Sequence, residues 1–271
     1  MTTTENTELA ESWTAWHTER EELLRAPHGW LSLTGLHWLT GEPSANPDLP
    51  GLWRATGDGG VELTAAAADG VQVAGGTVDG TVRLEPTDGL PGVLVTVGER
   101  RVEVIRRTDS YALRVRDPRA ITLTEFAGVP SYPVESRWVV TGRYEPYAAP
   151  SPITVDAVVE GLNHYFTALG EVHFELDGQA QTLVALPGKE GGLLLHFRDG
   201  TSGQGTYGGG RSLTTVDPAE DGSVVVDLNR TVNLPCAFTA FATCPLPPAG
   251  NTVTVPVEAG ERSPLRPDLA A

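Results

Sequence analysis

Lysine is almost missing from this chain of 271 residues. Of its 19 basic residues only Lys189 is one, and 35 acidic residues leave a formal net charge of −16. Gripping nucleic acid takes clustered Lys and Arg. The local basic runs are Arg100–Arg101 and Arg106–Arg107, read as the solvent face of a strand. A nucleic-acid partner is therefore not expected. Cysteine is scarce too: Cys236 and Cys244, with seven residues between them, make neither a disulfide framework nor a Cys-x-x-Cys motif and read as two small buried thiols. No apolar run approaches the roughly 18 residues of a membrane span. The start, MTTTENTELAES, lacks the basic and apolar segments of a signal peptide, so the expectation is a cytoplasmic protein without a membrane partner.

Motifs are missing as well. There is no Gly-x-x-x-x-Gly-Lys-Ser/Thr phosphate loop, no His-Glu-x-x-His and no Gly-x-Ser-x-Gly elbow. The six histidines include no His-x-x-x-His, and the nearest approach to a metal site is His173 and His196, which could meet only if their strands were neighbours. No metal site is assigned, and no cofactor is named. Strand–helix–strand alternation is also absent, which disfavours a Rossmann or TIM plan.

What is present is one helix and many strands. Leu9, Trp13, Trp16, Leu23 and Leu24 recur at or near helical spacing and predict an amphipathic helix over about 7–26, ended by Pro27. Short Val-, Leu- and aromatic-rich segments follow, among them Val93–Val97, Tyr111–Val115, Glu171–Leu176, Leu193–Phe197, Ser212–Val216, Val224–Leu228 and Thr252–Val257. Asp-Gly pairs such as Asp58-Gly59 and Asp177-Gly178 mark hairpins. The pattern predicts a mainly β protein, antiparallel, barrel-like or built of two packed sheets, with the N-terminal helix covering an open edge or end. It is read as a single β-rich domain over 1–271. A softer stretch at 145–152 is a possible internal division, with the motif-bearing half at 153–261.

The most unusual stretch is RDGTSGQGTYGGGR, Arg198–Arg211, with six glycines between two arginines. Glycine allows tight bends and close approach to main-chain N–H groups, which in succession can form an anion nest. Arg211 could then grip a carboxylate or phosphate. Further on, DLNRTVNLPCAFTAFATCPLPPAGN (227–251) places Asp227, Asn229 and Asn233 at a strand end entering a proline-rich passage, and Ala259-Gly260-Glu261 closes the motif.

These pieces, in this order, resemble the DUF1684 family, bacterial and archaeal proteins named for lacking an assigned function. The resemblance rests on Asp199, Thr201, Ser202, Gly203, Thr206, Tyr207, Gly210 and Arg211; on Asp227 and Asn229; on Asn233 with Pro235–Phe238; on Cys244–Pro248 with Asn251; and on Ala259–Glu261. The segment Gly29–Glu42 also fits, so the likeness runs from about Trp13 to Glu261. Leu228 departs from it, standing where an aromatic is expected. The resemblance implies that the glycine-rich loop and the Asn/Pro/Cys passage form one spatial feature, and it implies no reaction.

The expectation is a pocket for a small polar or anionic molecule, framed by the 198–211 loop and the 227–261 motifs. Arg211 would fix the ligand's charge, and Thr201, Ser202, Tyr207, Asn229 and Asn233 would orient it. Asp199, Asp227 and Glu261 are the acid/base candidates if there is catalysis. A non-catalytic module binding a protein partner, and motifs that only knit the fold, are the alternatives.

Overall fold

The computed structural model describes residues 3–266. The chain divides into two compact units. One comprises residues up to Glu22 together with Ala127–Arg266, the other Leu23–Phe126. The boundaries fall at 22/23 and 126/127, and residues 145–152 lie inside one long strand.

Helix α1 spans Thr3–Leu24. Its sheltered side is Leu9, Trp13, Trp16, His17, Arg20, Glu21 and Leu24, a stripe at helical spacing that mixes apolar and charged residues, while Leu23 stands out in solvent. Four of the five expected stripe residues are thus sheltered and Leu23 is not, and polar side chains on the same side bond to the β scaffold.

The smaller unit carries ten strands: β1 (Leu33–Trp38), β2 (Ser44–Asn46), β3 (Leu49–Thr56), β4 (Gly60–Ala65), β5 (Val71–Val73), β6 (Gly76–Thr77), β7 (Gly80–Leu84), β8 (Val93–Val97), β9 (Arg100–Arg107) and β10 (Ser110–Arg116). They make one antiparallel sheet in the order β1-β10-β9-β8-β5-β6 and a second in the order β2-β3-β4-β7. Trp53, Val61 and Leu63 of the second pack with Val95, Val102, Val104 and Leu113 of the first. The Arg106–Arg107 pair is half-buried rather than on an open face.

The larger unit holds β11 (Val139–Asp156), β12 (Asn163–Leu176), β13 (Gln179–Pro187), β14 (Leu193–Phe197), β15 (Arg211–Thr214), β16 (Ser223–Asp227) and β17 (Val232–Asn233). They form one antiparallel sheet in the order β16-β11-β12-β13-β14-β15-β17. The architecture is mainly β, as expected, made of packed antiparallel sheets and not a closed barrel. The Asp177-Gly178 turn between β12 and β13 has φ of +49° and +72°, the two positive values a tight hairpin needs. The prolines of 145–152 are accommodated by a register shift between Pro146 and Ser151 in β11.

The segment 252–257 is not a strand. It alternates buried and exposed residues, but its main chain bonds mostly outside a ladder. The Val253 N–H donates to the Arg198 carbonyl (2.8 Å), the Thr254 N–H to Gln181 Oε1 (2.9 Å) and the Val257 N–H to Asp199 Oδ1 (3.1 Å). The segment lies against the core of Trp138, Leu195, Phe197 and Leu213 through Val253, Val255 and Val257. His173 sits on β12 and His196 on β14, with β13 between them, so the two are not on neighbouring strands. Among the described residues no group of His, Cys, Asp and Glu could hold a metal ion.

Candidate functional site

The glycine-rich loop connects β14 to β15, and its two ends are adjacent because Phe197 pairs with Arg211. Closing the loop brings Asp199 onto Arg211. Arg211 Nη2 donates to Asp199 Oδ2 at 3.0 Å, and both side chains are at most 1% exposed. The same guanidinium reaches the C-terminal segment: Nη2 donates to the Val257 carbonyl (2.9 Å) and Nη1 to those of Ala259 (2.6 Å) and Glu261 (2.9 Å). Burial pushes the Arg211 guanidinium below its ordinary range, against the opposing pull of Asp199. Asp199 Oδ1 accepts from the Thr201 N–H (2.7 Å), the Thr201 hydroxyl (2.6 Å) and the Val257 N–H. The pair therefore ties three pieces of chain together.

The loop's main-chain donors also turn inward. The N–H groups of Gln204, Gly205 and Thr206 converge on the Thr201 carbonyl at 3.0–3.1 Å, so this stretch is folded on an oxygen of its own. The Thr201 and Thr206 hydroxyls bond to each other at 2.8 Å, and the Ser202 hydroxyl accepts the Asp199 N–H at 3.1 Å. Gly210 explains the composition best. Its φ is +98°, and a Cβ there would stand 2.8 Å from both the Phe197 carbonyl oxygen and Pro247 Cγ. Tyr207 lies over Gly209, half-buried, and burial pushes its hydroxyl up to about 12, with Cys236 and Cys244 contributing.

A second cluster surrounds Glu261, whose side chain is 1% exposed. Its Oε2 accepts the Asn233 N–H at 2.6 Å and its Oε1 accepts Arg20 Nε at 3.0 Å, while Arg20 Nη2 donates to the Asn233 carbonyl (3.0 Å). Asn233 Nδ2 donates to the Arg262 carbonyl at 2.8 Å. A third cluster joins Asp227 and Asn229. Asp227 Oδ1 accepts from the Asn229 N–H and Nδ2, and its Oδ2 accepts Arg230 Nε at 3.2 Å. Asn229 mimics a strand partner for Glu135, taking its N–H at Oδ1 (3.1 Å) and giving Nδ2 to its carbonyl (3.0 Å). The Asn229 carbonyl accepts Trp13 Nε1 at 2.7 Å.

The structure thus places the nine candidates unevenly. Asp199, Thr201 and Arg211 form one cluster, joined to Glu261 and Asn233 through the Arg211–Glu261 bond and the Arg211–Asn233 strand pairing. Asp227 and Asn229 belong to another, tied to it by α1. Ser202 and Tyr207 stay within the loop. The thiols of Cys236 and Cys244 are buried as expected, each sulfur accepting the other residue's N–H at 3.1–3.2 Å.

Beside the second and third clusters runs a groove of about 530 Å³. Leu213, Val216, Val225 and Val232 give it an apolar bed, and Trp16, Arg20, Asp227 and Arg230 supply the polar and aromatic lining. Arg230 lies over the Trp16 ring, 5.4 Å from its centroid, and its Nη2 donates to Ser12 Oγ at 2.7 Å. Each of the two arginines is aimed by one carboxylate: Glu261 holds Arg20, and Asp227 holds Arg230. Trp16, Arg20 and Arg230 were not among the sequence candidates. The signal available was the placement of Trp16 and Arg20 four residues apart on a predicted helix. Their partners lie more than 200 positions away, and that pairing has no local signature.

The larger unit is thus mainly β, with motif residues that bond a loop, a strand end and a C-terminal segment to one another. The chain belongs to the DUF1684 family, whose model, described as a protein of unknown function, matches residues 124–262. No curated protein matches the chain. Among solved structures it is similar to the solution NMR structure of an uncharacterized protein from Haloarcula marismortui. That similarity has 27% identity and a TM-score of 0.43, over 51% of this chain and 78% of the other.

Proposed function

We propose that this unit binds a small molecule with an apolar body and a polar or anionic end, in the groove lined by Trp16, Arg20, Asp227 and Arg230. One observation carries the reading: two arginines, each braced by its own carboxylate, stand at the wall of a groove whose bed is apolar. The volume of about 530 Å³ lies in the range of roughly 300–1,000 Å³ usual for small-molecule sites. A guanidinium has five N–H donors. The bonds to Glu261 and Asn233, and those to Asp227 and Ser12, engage Nε and Nη2 of each arginine and leave Nη1 to meet a ligand oxygen.

In this reading the sequence candidates divide by role. Asp227 and Glu261 orient the two arginines, Asn229 and Asn233 hold the backbone behind them, and the Asp199–Arg211 pair with Thr201 keeps the scaffold closed. These roles serve binding, and none of them is an acid/base step.

Titration calorimetry with 4-phenylbutyrate as the probe tests it. Saturable binding is expected, weakened about tenfold in Arg230→Ala, as for loss of a charged hydrogen bond. It should be blocked in Val225→Trp, which fills the bed from an exposed position. Absence of saturable binding, or binding indifferent to both changes, would overturn the reading.

A further inference from the structure

The smaller unit contains a cluster of arginines that this groove leaves unexplained. Alternation along β9 and β10 puts Glu103, Ile105 and Arg107 on one side of the sheet with Ala112, Arg114 and Arg116 of the neighbouring strand, and Arg114 lies directly opposite Glu103. This is the side away from the Val102, Val104, Leu113 and Val115 core, yet it too is covered. Arg114 and Arg116 have side chains only 5% and 10% exposed.

The guanidinium of Arg116 is fully engaged. Its Nε and Nη2 donate to Glu103 Oε2 at 3.0 and 2.8 Å, and its Nη1 donates to the carbonyls of His28 (3.1 Å) and Gly29 (2.7 Å). Arg114 is not so provided. It reaches Glu103 only through Nη1, at 3.4 Å, and its Nε is a buried donor with no hydrogen-bond partner. Both guanidinium groups lie over the Trp30 ring, at 5.3 and 5.0 Å, which fixes them in place. Arg107 is half-buried on the same side. Burial holds Arg107 and Arg114 below the ordinary guanidinium range, and the charges of Arg107 and Arg116 press Arg114 lower still.

The charges do not balance. Arg114 and Arg116 share the carboxylate of Glu103, while Arg107 makes no ion pair among the described residues, feels Glu103 and the exposed Asp88 only through their charge, and gives its Nη1 to the Arg106 carbonyl at 2.6 Å. Removing cations from water without matching anions is costly, and an unmet buried donor adds to the cost. A bound anion would offset both.

We propose that Arg107 and Arg114 form a binding site for a tetrahedral oxyanion of the phosphate class. The Nε of Arg114 and the Nε and Nη2 of Arg107, whose Nη1 is held by the Arg106 carbonyl, supply the donors, while Glu103, Arg116 and Trp30 position Arg114. Arginine suits this task because its fixed fork of N–H groups matches the oxygens of phosphate. The site belongs to the smaller unit and is independent of the groove.

Calorimetric titration of the full chain with inorganic phosphate, ionic strength held constant with sodium chloride, tests the assignment. One saturable site is expected. Arg107→Ala, a change at a half-buried position, should weaken it about tenfold or more, with far-UV circular dichroism unchanged. Glu103→Gln, which removes the competing negative charge, should tighten it. Arg230→Ala should bind phosphate as the parent does, which separates this site from the groove. Competition by phenyl phosphate would assign the site to phosphate monoesters, and its absence to the free oxyanion. No heat beyond that of chloride, or unweakened binding by Arg107→Ala, would overturn the proposal.

Discussion

Asp199 and Arg211 form an ion pair at 3.0 Å that is closed to solvent, and every oxygen and both Nη atoms of the pair bond within the chain. The two Nη atoms of the arginine that the sequence presents as a ligand grip are taken up by Asp199 and the C-terminal segment, and its Nε is a buried donor without a partner. Gly203 and Gly210, with φ of +82° and +98°, allow the loop to fold tightly enough to bury the pair.

Breaking this pair should be severe. Arg211→Ala leaves a buried carboxylate and three carbonyls without their donor, and a loss of about 3–5 kcal/mol is expected. Asp199→Ala should cost a similar amount. Chemical denaturation of the two single variants and the double variant checks this, and the double variant should cost clearly less than the sum.

Gly260 has φ of +70°, and a Cβ there would stand 2.4 Å from the Thr231 carbonyl oxygen. Gly260→Ala should therefore destabilise by more than about 1 kcal/mol. Gly250 also has positive φ, but a Cβ there would meet no atom within 4 Å, so Gly250→Ala should be clearly milder. Thermal melts of the two variants side by side test the distinction.

His196 is 3% exposed, and burial, assisted by Arg198, holds its pKa down to about 4 from an ordinary 6.5. The unfolded chain takes up a proton as pH falls through 6.5, and the folded chain refuses it until about 4. Stability from this group is thus full above pH 6.5 and falls through that window, by about 3 kcal/mol when complete. His196→Gln should lack this part of the acid limb. Denaturation of both proteins from pH 7 to pH 4 shows it as a difference in slope.

Asn229 supplies both hydrogen bonds to the Glu135 main chain and an N–H to Asp227. Asn229→Ala should cost about 1–3 kcal/mol, the usual range for stranding buried polar groups. Asn229→Asp keeps the acceptor but loses the Nδ2 donor and sets a second carboxylate beside Asp227. It should not rescue stability in an urea melt at pH 7.

Local features were legible in the sequence, and long-range ones were not. Val93–Val97 and Leu193–Phe197 match their strands because apolar β-rich segments bounded by turns need no distant information. Thr252–Val257 shows the limit. Its alternation reports burial on one side, but its main chain is bonded to Gln181, Arg198 and Asp199, so the pattern of a strand occurs without a ladder. The motif residues were visible as residue types, and their grouping was partly visible through the family resemblance. Their roles were not, because whether Arg211 faces a ligand or a ring of carbonyls depends on where residues 257–261 return. Arg20 was hidden by the same distance, 241 positions from Glu261.

Entry of a small molecule into the groove beside Trp16 is read most directly from the indole N–H resonances of a ¹⁵N-labelled sample. The Trp16 signal is identified by its loss in Trp16→Phe, and the buried Trp53 and Trp138 serve as internal references. On titration with 4-phenylbutyrate a saturable shift of the Trp16 resonance is expected, with those of Trp53 and Trp138 unmoved. An unmoved Trp16 signal, or equal shifts at all three, would contradict it.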